Sequence, residues 1–365
     1  MHIKALALHN FRNYKELLYT PSEGINLIYG DNAQGKTNLL EAMFLCAFGR
    51  SQRTVHDDEL IMHGSDNAMV KMRMSSEQNG EHTVSICLNR GKLIEIDGVR
   101  IRRLADLMGV LKAVMFSPES MQLVKGAPSE RRRFMDMCIS QLSRSYFYRL
   151  QQYMSALRQR NALLKNTNAT ESREYVRMWD EQLAASGAYI MAARERFLDM
   201  LTPVAYAIHD KLSQGKDEFE LQYAPSVKSD SGKQLKEQIA ERLAACFSED
   251  VKRGSTSVGV HKDDILMKTN GLDSRAFASQ GQQRTAALSL KLSEIEFMRN
   301  VSGEYPVVFL DDVFSELDES RCLSLLECVK DCQCIFTSAQ SVNSLYNSAM
   351  QTVRCVNGTL LTDNK

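Results

Sequence analysis

The strongest restriction on the fold of this chain is a short segment between an apolar run and an amphipathic stretch. It reads Gly30-Asp31-Asn32-Ala33-Gln34-Gly35-Lys36-Thr37 and fits the pattern G-x-x-x-x-G-K-[ST] in full. The run Ile25 to Tyr29 enters it, and apolar residues at helical spacing follow it. Glycines let a backbone wrap phosphates closely, and a helix N-terminus supplies positive potential. The order strand, loop, helix predicts an ATP site, in which Lys36 reaches the β and γ phosphates and Thr37 ligates Mg²⁺.

A second motif lies far along the chain, where the apolar residues Val307 to Leu310 are followed by Asp311 and Asp312. The run predicts a buried strand, and α/β folds bind ligands at the carboxyl ends of such strands. Asp311 is suited to hold Mg²⁺, so Thr37 and Asp311 are the predicted metal residues. Asp312 is suited to orient or deprotonate the attacking water, and with Lys36 it forms the predicted catalytic set.

A third motif, Ser279-Gln280-Gly281-Gln282-Gln283, precedes a predicted helix. A serine hydroxyl and a glycine amide at a helix N-terminus form an anion-binding surface, so Ser279, Gly281 and Gln282 are predicted nucleotide contacts. After the acidic pair comes Ser315-Glu316-Leu317-Asp318. The order of these motifs resembles the ABC ATPase class, whose signature loop faces the γ-phosphate of the opposite subunit and whose D-loop follows the acidic strand.

Hydrophobic periodicity divides the chain into three parts. Residues 1–120 and 251–365 carry strand and turn signals, such as Asn89-Arg90-Gly91-Lys92 and Asn270-Gly271. Residues 121–250 carry two apolar stripes at helical spacing. The stripes are Met135, Ile139, Leu142, Tyr146, Leu150, Tyr153, Leu157 and Trp179, Leu183, Ser186, Ile190, Ala193, Phe197, Leu201. The predicted fold is α/β: a P-loop ABC-type ATPase head, residues 1–120 and 251–365, with an inserted α-helical lobe at residues 121–250.

Within the ABC class, the chain resembles the bacterial RecF family over nearly its whole length. Besides the three motifs above, the segments that carry the resemblance are Asn10-Phe11-Arg12-Asn13-Tyr14, Asn38-Leu39-Leu40-Glu41-Ala42, Gly49-Arg50-Ser51-Gln52-Arg53-Thr54, Phe116-Ser117-Pro118-Glu119, Lys125-Gly126-Ala127-Pro128, Arg131-Arg132-Arg133-Phe134, Arg158-Gln159-Arg160-Asn161-Ala162-Leu163-Leu164-Lys165 and His261-Lys262-Asp263-Asp264. The resemblance implies ATP-dependent dimerisation, DNA binding, and work with RecR and RecO in recombinational repair of gapped DNA after DNA damage.

Some positions depart from the general ABC pattern. Asp312 stands where a glutamate is usual, and because RecF-like proteins share this aspartate, the resemblance implies slow hydrolysis. The segment Phe336-Thr337-Ser338-Ala339 replaces the usual switch histidine. Glu119 and Gln122 are the two candidates for the Q-loop role.

Charge is segregated along a chain whose net charge is zero. From Met121 to Lys165 there are nine basic and two acidic residues, and from Glu304 to Asp331 eight acidic and two basic residues. A neutral protein that binds the phosphate backbone would show this segregation, and so would a solvated helical face. The predicted DNA contacts are Arg131, Arg132, Arg133, Arg144, Arg158 and Arg160, with Arg50 and Arg53 as further candidates. Alternatively, Arg132 or Arg133 pairs with Asp136.

Several other functions would share part of this pattern. The nucleotide-binding subunit of a membrane transporter has all three phosphate motifs and is the alternative function, but the helical insertion and the basic segment speak against it. A coiled-coil chromosome ATPase needs a much longer arm, and only His261-Lys262-Asp263-Asp264 echoes a GTPase. No apolar run approaches the ~18 residues of a membrane span, so we expect a cytoplasmic protein without a membrane partner. Nine cysteines without C-x-x-C argue against a disulfide framework or a zinc ribbon. The cluster Cys322, Cys328, Cys332 and Cys334 could bind a metal, but its spacings fit no standard site, and buried thiols are the favoured interpretation.

Overall fold

The computed structural model describes residues 1–165, 173–228, 232–339 and 350–362, in two compact units. Unit 1 comprises Met1–Met121 and Leu288–Lys365, and unit 2 comprises Gln122–Ala287. The strands are β1 (His2–Phe11), β2 (Tyr14–Tyr19), β3 (Ile25–Tyr29), β4 (Ala68–Ser76), β5 (Gly80–Leu88), β6 (Lys92–Ile96), β7 (Val99–Arg100), β8 (Ala113–Phe116), β9 (Phe219–Ala224), β10 (Asp264–Thr269), β11 (Leu272–Asp273), β12 (Val307–Asp311), β13 (Cys334–Ser338), β14 (Gln351–Val356) and β15 (Thr359–Thr362). The helices are α1 (Lys36–Phe48), α2 (Pro128–Leu142), α3 (Arg144–Leu164), α4 (Arg173–Ser213), α5 (Leu235–Arg253), α6 (Ser274–Phe277), α7 (Gln280–Ser302) and α8 (Glu319–Val329).

A mostly parallel sheet forms the centre of unit 1. Its strand order is β15-β14-β3-β13-β12-β8, and all neighbours are parallel except β14 and β15. Every residue of β12 and β13 is buried, as expected for strands covered on both faces. The strands predicted at Ile25 to Tyr29 and Val307 to Leu310 are confirmed. The sheet therefore brings the carboxyl ends of β3, β13 and β12 to one edge.

An antiparallel sheet makes up the rest of the β-structure of unit 1. Its strand order is β2-β1-β4-β5-β6-β7. In β4, the side chains of Ala68, Val70, Met72 and Met74 are buried and alternate with exposed residues, which is the pattern of a sheet with one covered face. The hairpin predicted at Asn89-Arg90-Gly91-Lys92 is confirmed between β5 and β6.

Helices α2 to α5 dominate unit 2, and the two apolar stripes lie on them. The first stripe is divided between α2 and α3 at Ser143, whose hydroxyl accepts a hydrogen bond from the Tyr146 backbone N–H and begins α3. The second stripe lies on α4, where Leu183, Ile190 and Leu201 are buried. Among the described residues, every helix is too short or too polar to cross a bilayer.

The expected end of the inserted lobe at residue 250 is corrected to Ala287. The sequence places residues 251–365 in the head, because strand signals resume from Asp264 onward. In the structure, β10 pairs with β9 and β11 to form a sheet within unit 2. The alternation of β10 buries Ile265 and Met267 in that unit. Unit 2 is therefore helical with a small sheet of its own, and the Ser279 loop belongs to it.

Candidate functional site

The phosphate loop lies between β3 and α1, as its motif predicts. Lys36 is nearly buried, and its Nζ donates hydrogen bonds to the carbonyl oxygens of Gly30 at 2.6 Å and Asp31 at 2.7 Å. Carbonyls hold the ammonium in place without neutralising it, so the charge stays available to an anion. Gly35 begins α1 with a φ of 116°, and a Cβ there would lie 2.5 Å from the Asn13 amide. A glycine is therefore required at the point where phosphate would meet the helix.

Two turns from distant parts of the sequence hold this loop. Asn13, between β1 and β2, donates from Nδ2 to the Gln34 carbonyl at 2.8 Å. Asn357 and Gly358, between β14 and β15, donate their backbone N–H groups to Gln34 Oε1 at 2.6 Å and to the Gln34 carbonyl at 3.0 Å. Sequence reasoning gives these residues no role. Only Asn13 has a signal, because it lies in the segment Asn10 to Tyr14 that carries the family resemblance.

The acidic pair lies at the same edge of the sheet. The Thr37 hydroxyl donates to Asp311 Oδ1 at 2.9 Å, and the Thr337 hydroxyl, on the intervening strand β13, donates to the same oxygen at 2.8 Å. Burial raises the pKa of Asp311, while the two hydroxyl hydrogen bonds act in the opposite direction. A hydroxyl and a carboxylate oxygen in contact are hard donors of the type that Mg²⁺ prefers. The residues present therefore fit the ion that the fold implies, and Thr337 is an additional support that the sequence does not indicate.

Asp312 has an unusual backbone. It is exposed, its φ is 51°, and its N–H donates to Thr337 Oγ1 at 3.1 Å. A left-handed conformation at a residue other than glycine costs on the order of 1 kcal/mol and persists where neighbours enforce it. The Ser315 hydroxyl, in the predicted D-loop, donates to the Asp312 carbonyl at 2.7 Å. The exposed carboxylate of Asp312 thus sits on a fixed backbone beside the buried one of Asp311.

A buried carboxylate supports the start of α1. Glu41 is fully buried and accepts two hydrogen bonds from Arg12, each 2.9 Å long. Arg53 lies 3.7 Å from Glu41 and donates to Asn38 Oδ1 at 2.9 Å. Arg53 is one of the further DNA candidates; in the structure its guanidinium is held beside the first turn of α1.

The Ser279 loop begins α7 in unit 2 with reciprocal hydrogen bonds. The Ser279 N–H donates to Gln282 Oε1 at 2.9 Å, and the Gln282 N–H donates to Ser279 Oγ at 3.3 Å. This is a capping box with glutamine at its fourth position. Gln282 Nε2 donates to Asp217 at 2.8 Å, so both polar ends of the Gln282 side chain are used within unit 2. Ser279 is exposed, and neither capping bond uses its hydroxyl proton.

Two of the arginines predicted to contact DNA are buried, and that prediction is wrong for them. Arg131 is 4% exposed, and its Nε and Nη2 donate to Asp264 at 2.6 and 2.9 Å. Arg160 is 0% exposed and pairs with Asp180 at 2.5 Å and Asp250 at 2.7 Å. These guanidinium groups neutralise carboxylates inside unit 2 and cannot reach a phosphate backbone.

The other four arginines of that set are accessible to different degrees. Arg132 is half-buried and donates to the Asp263 carbonyl at 2.8 Å. Arg133, Arg144 and Arg158 are exposed. Asp136, the alternative partner for Arg132 or Arg133, pairs with Arg194 at 2.8 Å. The exposed arginines remain predicted DNA contacts.

Comparison with known proteins agrees with this architecture. Residues 2–360 match the family described as RecF/RecN/SMC N terminal domain. The chain is 41% identical over 343 residues to the DNA replication and repair protein RecF of Alkaliphilus oremlandii, covering 93% of each sequence. It is 40% identical to the RecF of Lachnoclostridium phytofermentans, covering 97% of each.

Solved structures give the same result. A structure of the recombination mediator protein RecF-ATPrS in the RecFOR pathway superposes with a TM-score of 0.90 at 33% identity, covering 100% of this chain and 98% of that one. An Smc head domain from Pyrococcus furiosus shares the fold, with a TM-score of 0.58 at 16% identity, covering 99% of this chain and 96% of that one. The predicted ABC-type head is confirmed, and the transporter alternative is set aside. The chain therefore belongs to the RecF/RecN/SMC family and, within it, to the RecF proteins.

Proposed function

We propose that this chain is an ATP-binding protein of DNA replication and repair, which dimerises with ATP and binds DNA at gaps or stalled replication sites. The observation that carries the proposal is the hydrogen bond of 2.9 Å between the Thr37 hydroxyl and Asp311, at the end of a phosphate loop whose Lys36 ammonium contacts the Gly30 carbonyl. These groups are the parts that a P-loop ATPase needs, on a chain that belongs to the RecF proteins. Relatives named for RecF and the RecFOR pathway point to RecR and RecO as partners. The proposed place of action is the cytoplasm.

Each residue of the proposed nucleotide site would have a separate role. Lys36 would exchange the two carbonyls it now contacts for phosphate oxygens, and the N–H groups at the start of α1 would face the same charge. Thr37 and Asp311 would hold Mg²⁺, which when bound neutralises charge on the phosphates. Asp312 would orient the attacking water. Because its side chain is one methylene shorter than the usual glutamate, we infer slow hydrolysis, with release of DNA as its consequence.

The second half of the nucleotide site would come from another copy of the chain. Ser279 is exposed and caps the N-terminus of α7. Its hydroxyl and the positive end of the helix together form a surface suited to a γ-phosphate. In the ABC arrangement this loop completes the phosphate loop of the partner subunit. ATP would then hold two copies together, and hydrolysis would let them separate.

A gel mobility-shift titration tests the proposal with gapped, duplex and single-stranded DNA, each with and without ATP. We expect ATP to strengthen binding to duplex or gapped DNA, with little dependence on sequence, because arginine contacts to phosphates carry no sequence information. Lys36→Met should remove the ATP effect, since losing a charge-assisted contact costs ~1.5–3 kcal/mol. Lys4→Met, a lysine of unit 1 that pairs with Glu23, is the matched control. Equal binding with and without ATP by the wild type would refute the proposal.

A further inference from the structure

A carboxylate outside every motif of the sequence holds the Ser279 loop in shape. Asp217 lies between the end of α4 and the start of β9, and its side chain is partly buried. Its Oδ1 accepts a hydrogen bond from Gln282 Nε2 at 2.8 Å and another from Asn270 Nδ2 at 2.9 Å. Asn270 belongs to the turn between β10 and β11, and it exchanges backbone and side-chain hydrogen bonds with Glu218 at 2.9 and 2.8 Å. One oxygen atom thus joins two turns of unit 2 to the first turn of α7.

The hydrogen-bond partners of Gln282 allow only one orientation of its side-chain amide. The Ser279 N–H can only donate, so the Gln282 oxygen must face it. The Gln282 nitrogen then faces Asp217, whose ionised carboxylate can only accept. Because a charged acceptor strengthens a hydrogen bond, Asp217 fixes the amide orientation, and the amide in turn fixes the Ser279 backbone.

We propose that Asp217 is a positioning residue for the nucleotide site: through Gln282 it presets the Ser279 loop in the geometry that receives the γ-phosphate of a partner subunit. This inference rests on the proposed function. Preorganised groups contribute most when they need not reorder as the ligand arrives. Without Asp217, Gln282 keeps a free amide nitrogen that can turn toward solvent, and the N–H of Ser279 loses its fixed acceptor. ATP binding to the phosphate loop of the same chain does not involve these bonds.

Three variants test the proposal. Asp217→Ala removes the acceptor, and Asp217→Asn keeps the shape and one oxygen but loses the charge. Glu218→Ala is the matched control, because that neighbouring acidic residue joins the network through its backbone only. We expect Asp217→Ala to leave the ATP affinity of the monomer within about twofold of wild type. It should lower ATP hydrolysis, and the affinity of the protein for its own copy in ATP, by roughly 10- to 100-fold, the loss expected for one charge-assisted hydrogen bond. Asp217→Asn should fall between Asp217→Ala and Glu218→Ala, and Glu218→Ala should match the wild type.

A subunit-mixing assay separates positioning from general damage to the fold. Mixed with Lys36→Met, the Asp217→Ala chain contributes an intact phosphate loop and receives an intact Ser279 loop, so hydrolysis should return to about that of one site. Hydrolysis by Ser279→Arg mixed with Lys36→Met should return to the same level.

If Ser279→Arg is rescued but Asp217→Ala is not, Asp217 does not act through the Ser279 loop and the inference fails. Wild-type hydrolysis by Asp217→Ala also overturns it. If neither variant is rescued, the composite site of the proposed function is itself wrong, and this inference falls with it. Should Asp217→Ala unfold, the isosteric Asp217→Asn carries the same comparisons.

Discussion

Asp311 and Asp312 are neighbours with different surroundings, and these surroundings predict different defects. Asp311 is buried under two hydroxyl donors, whereas Asp312 is exposed on a left-handed backbone. Asp312→Asn removes the charge that would orient water and leaves the Thr37–Asp311 contact intact, so ATP should still bind while hydrolysis slows by ~10²–10⁴-fold, the usual range for general-base loss. Asp311→Asn should instead weaken Mg²⁺-dependent ATP binding. ATP affinity and single-turnover hydrolysis measured on both variants decide this, and wild-type turnover by Asp312→Asn would remove its catalytic role.

His261 makes the stability of unit 2 depend on pH. Burial, together with the charges of Lys262 and Arg132, lowers the pKa of His261 to about 4, although the Thr256 carbonyl acts in the opposite direction. The unfolded chain takes up a proton near pH 6.5 that the folded chain accepts only near pH 4. The contribution of His261 to the free energy of unfolding should therefore be constant above about pH 7 and fall between about pH 6.5 and 4, by on the order of 1–3 kcal/mol.

Chemical denaturation at a series of pH values measures this dependence. Burial also lowers the pKa of His2 and His209, so the wild type carries their contributions as well. The difference between wild type and His261→Gln, which does not titrate, isolates His261. Parallel curves for the two proteins would show that the protonation of His261 does not distinguish the folded from the unfolded chain.

At the level of elements, the basic helices of unit 2 use their arginines in two ways. Arg160 fastens α3 to Asp180 on α4 and Asp250 on α5, whereas Arg133, Arg144 and Arg158 are exposed on α2 and α3. Arg160→Ala leaves two carboxylates without their cation, which should lower the free energy of unfolding by ~3–5 kcal/mol.

Replacing the three exposed residues Arg133, Arg144 and Arg158 with serine should leave the free energy of unfolding unchanged and weaken DNA binding. The slope of log affinity against log salt should fall by about 0.9 for each DNA phosphate that is no longer neutralised.

Thermal unfolding and salt-dependent DNA titrations of both variants check this contrast. The conservative variant Arg160→Lys keeps the charge but loses the forked geometry, so its stability should lie between wild type and Arg160→Ala. An unchanged salt slope in the triple serine variant would place the DNA surface outside α2 and α3.

The distance along the chain between partners decides what the sequence can predict. The phosphate loop and the Asp311 strand are predictable, because their residue types follow one another at fixed spacing beside a strand. The burial of Arg131 and Arg160 cannot be predicted from the sequence, because their partners Asp264 and Asp250 lie 133 and 90 residues away along the chain. A run of arginines looks the same whether its charges face water or buried carboxylates. The end of unit 2 cannot be predicted for a similar reason. The sequence of β10 is typical of any half-buried strand, and the pairing of β10 with β9 shows that it belongs to unit 2.

The proposed nucleotide site needs two copies of the chain, which predicts complementation between defective chains. Lys36→Met and Ser279→Arg should each be inactive as pure proteins. When the two variants are mixed, each mixed dimer should have one competent site of its two, formed by the phosphate loop of the Ser279→Arg chain and the Ser279 loop of the Lys36→Met chain. ATP hydrolysis during titration of one variant into the other measures this. Sedimentation of the wild type as a monomer at saturating ATP would contradict it.

The hydrogen bonds that Asn357 and Gly358 donate to Gln34 also affect when the phosphate loop is completed during synthesis. The two sides of this contact are 323 residues apart, and β3 itself lies between β13 and β14. At translation rates of about 5–20 residues per second, the ribosome needs on the order of tens of seconds to deliver the second side. Unit 2 is contiguous and can fold as soon as it emerges, since domains generally fold as units. A growing chain would then carry a folded unit 2 while its phosphate loop still lacks the hydrogen bonds from Asn357 and Gly358, so we expect full ATP affinity only after the last two strands have been made.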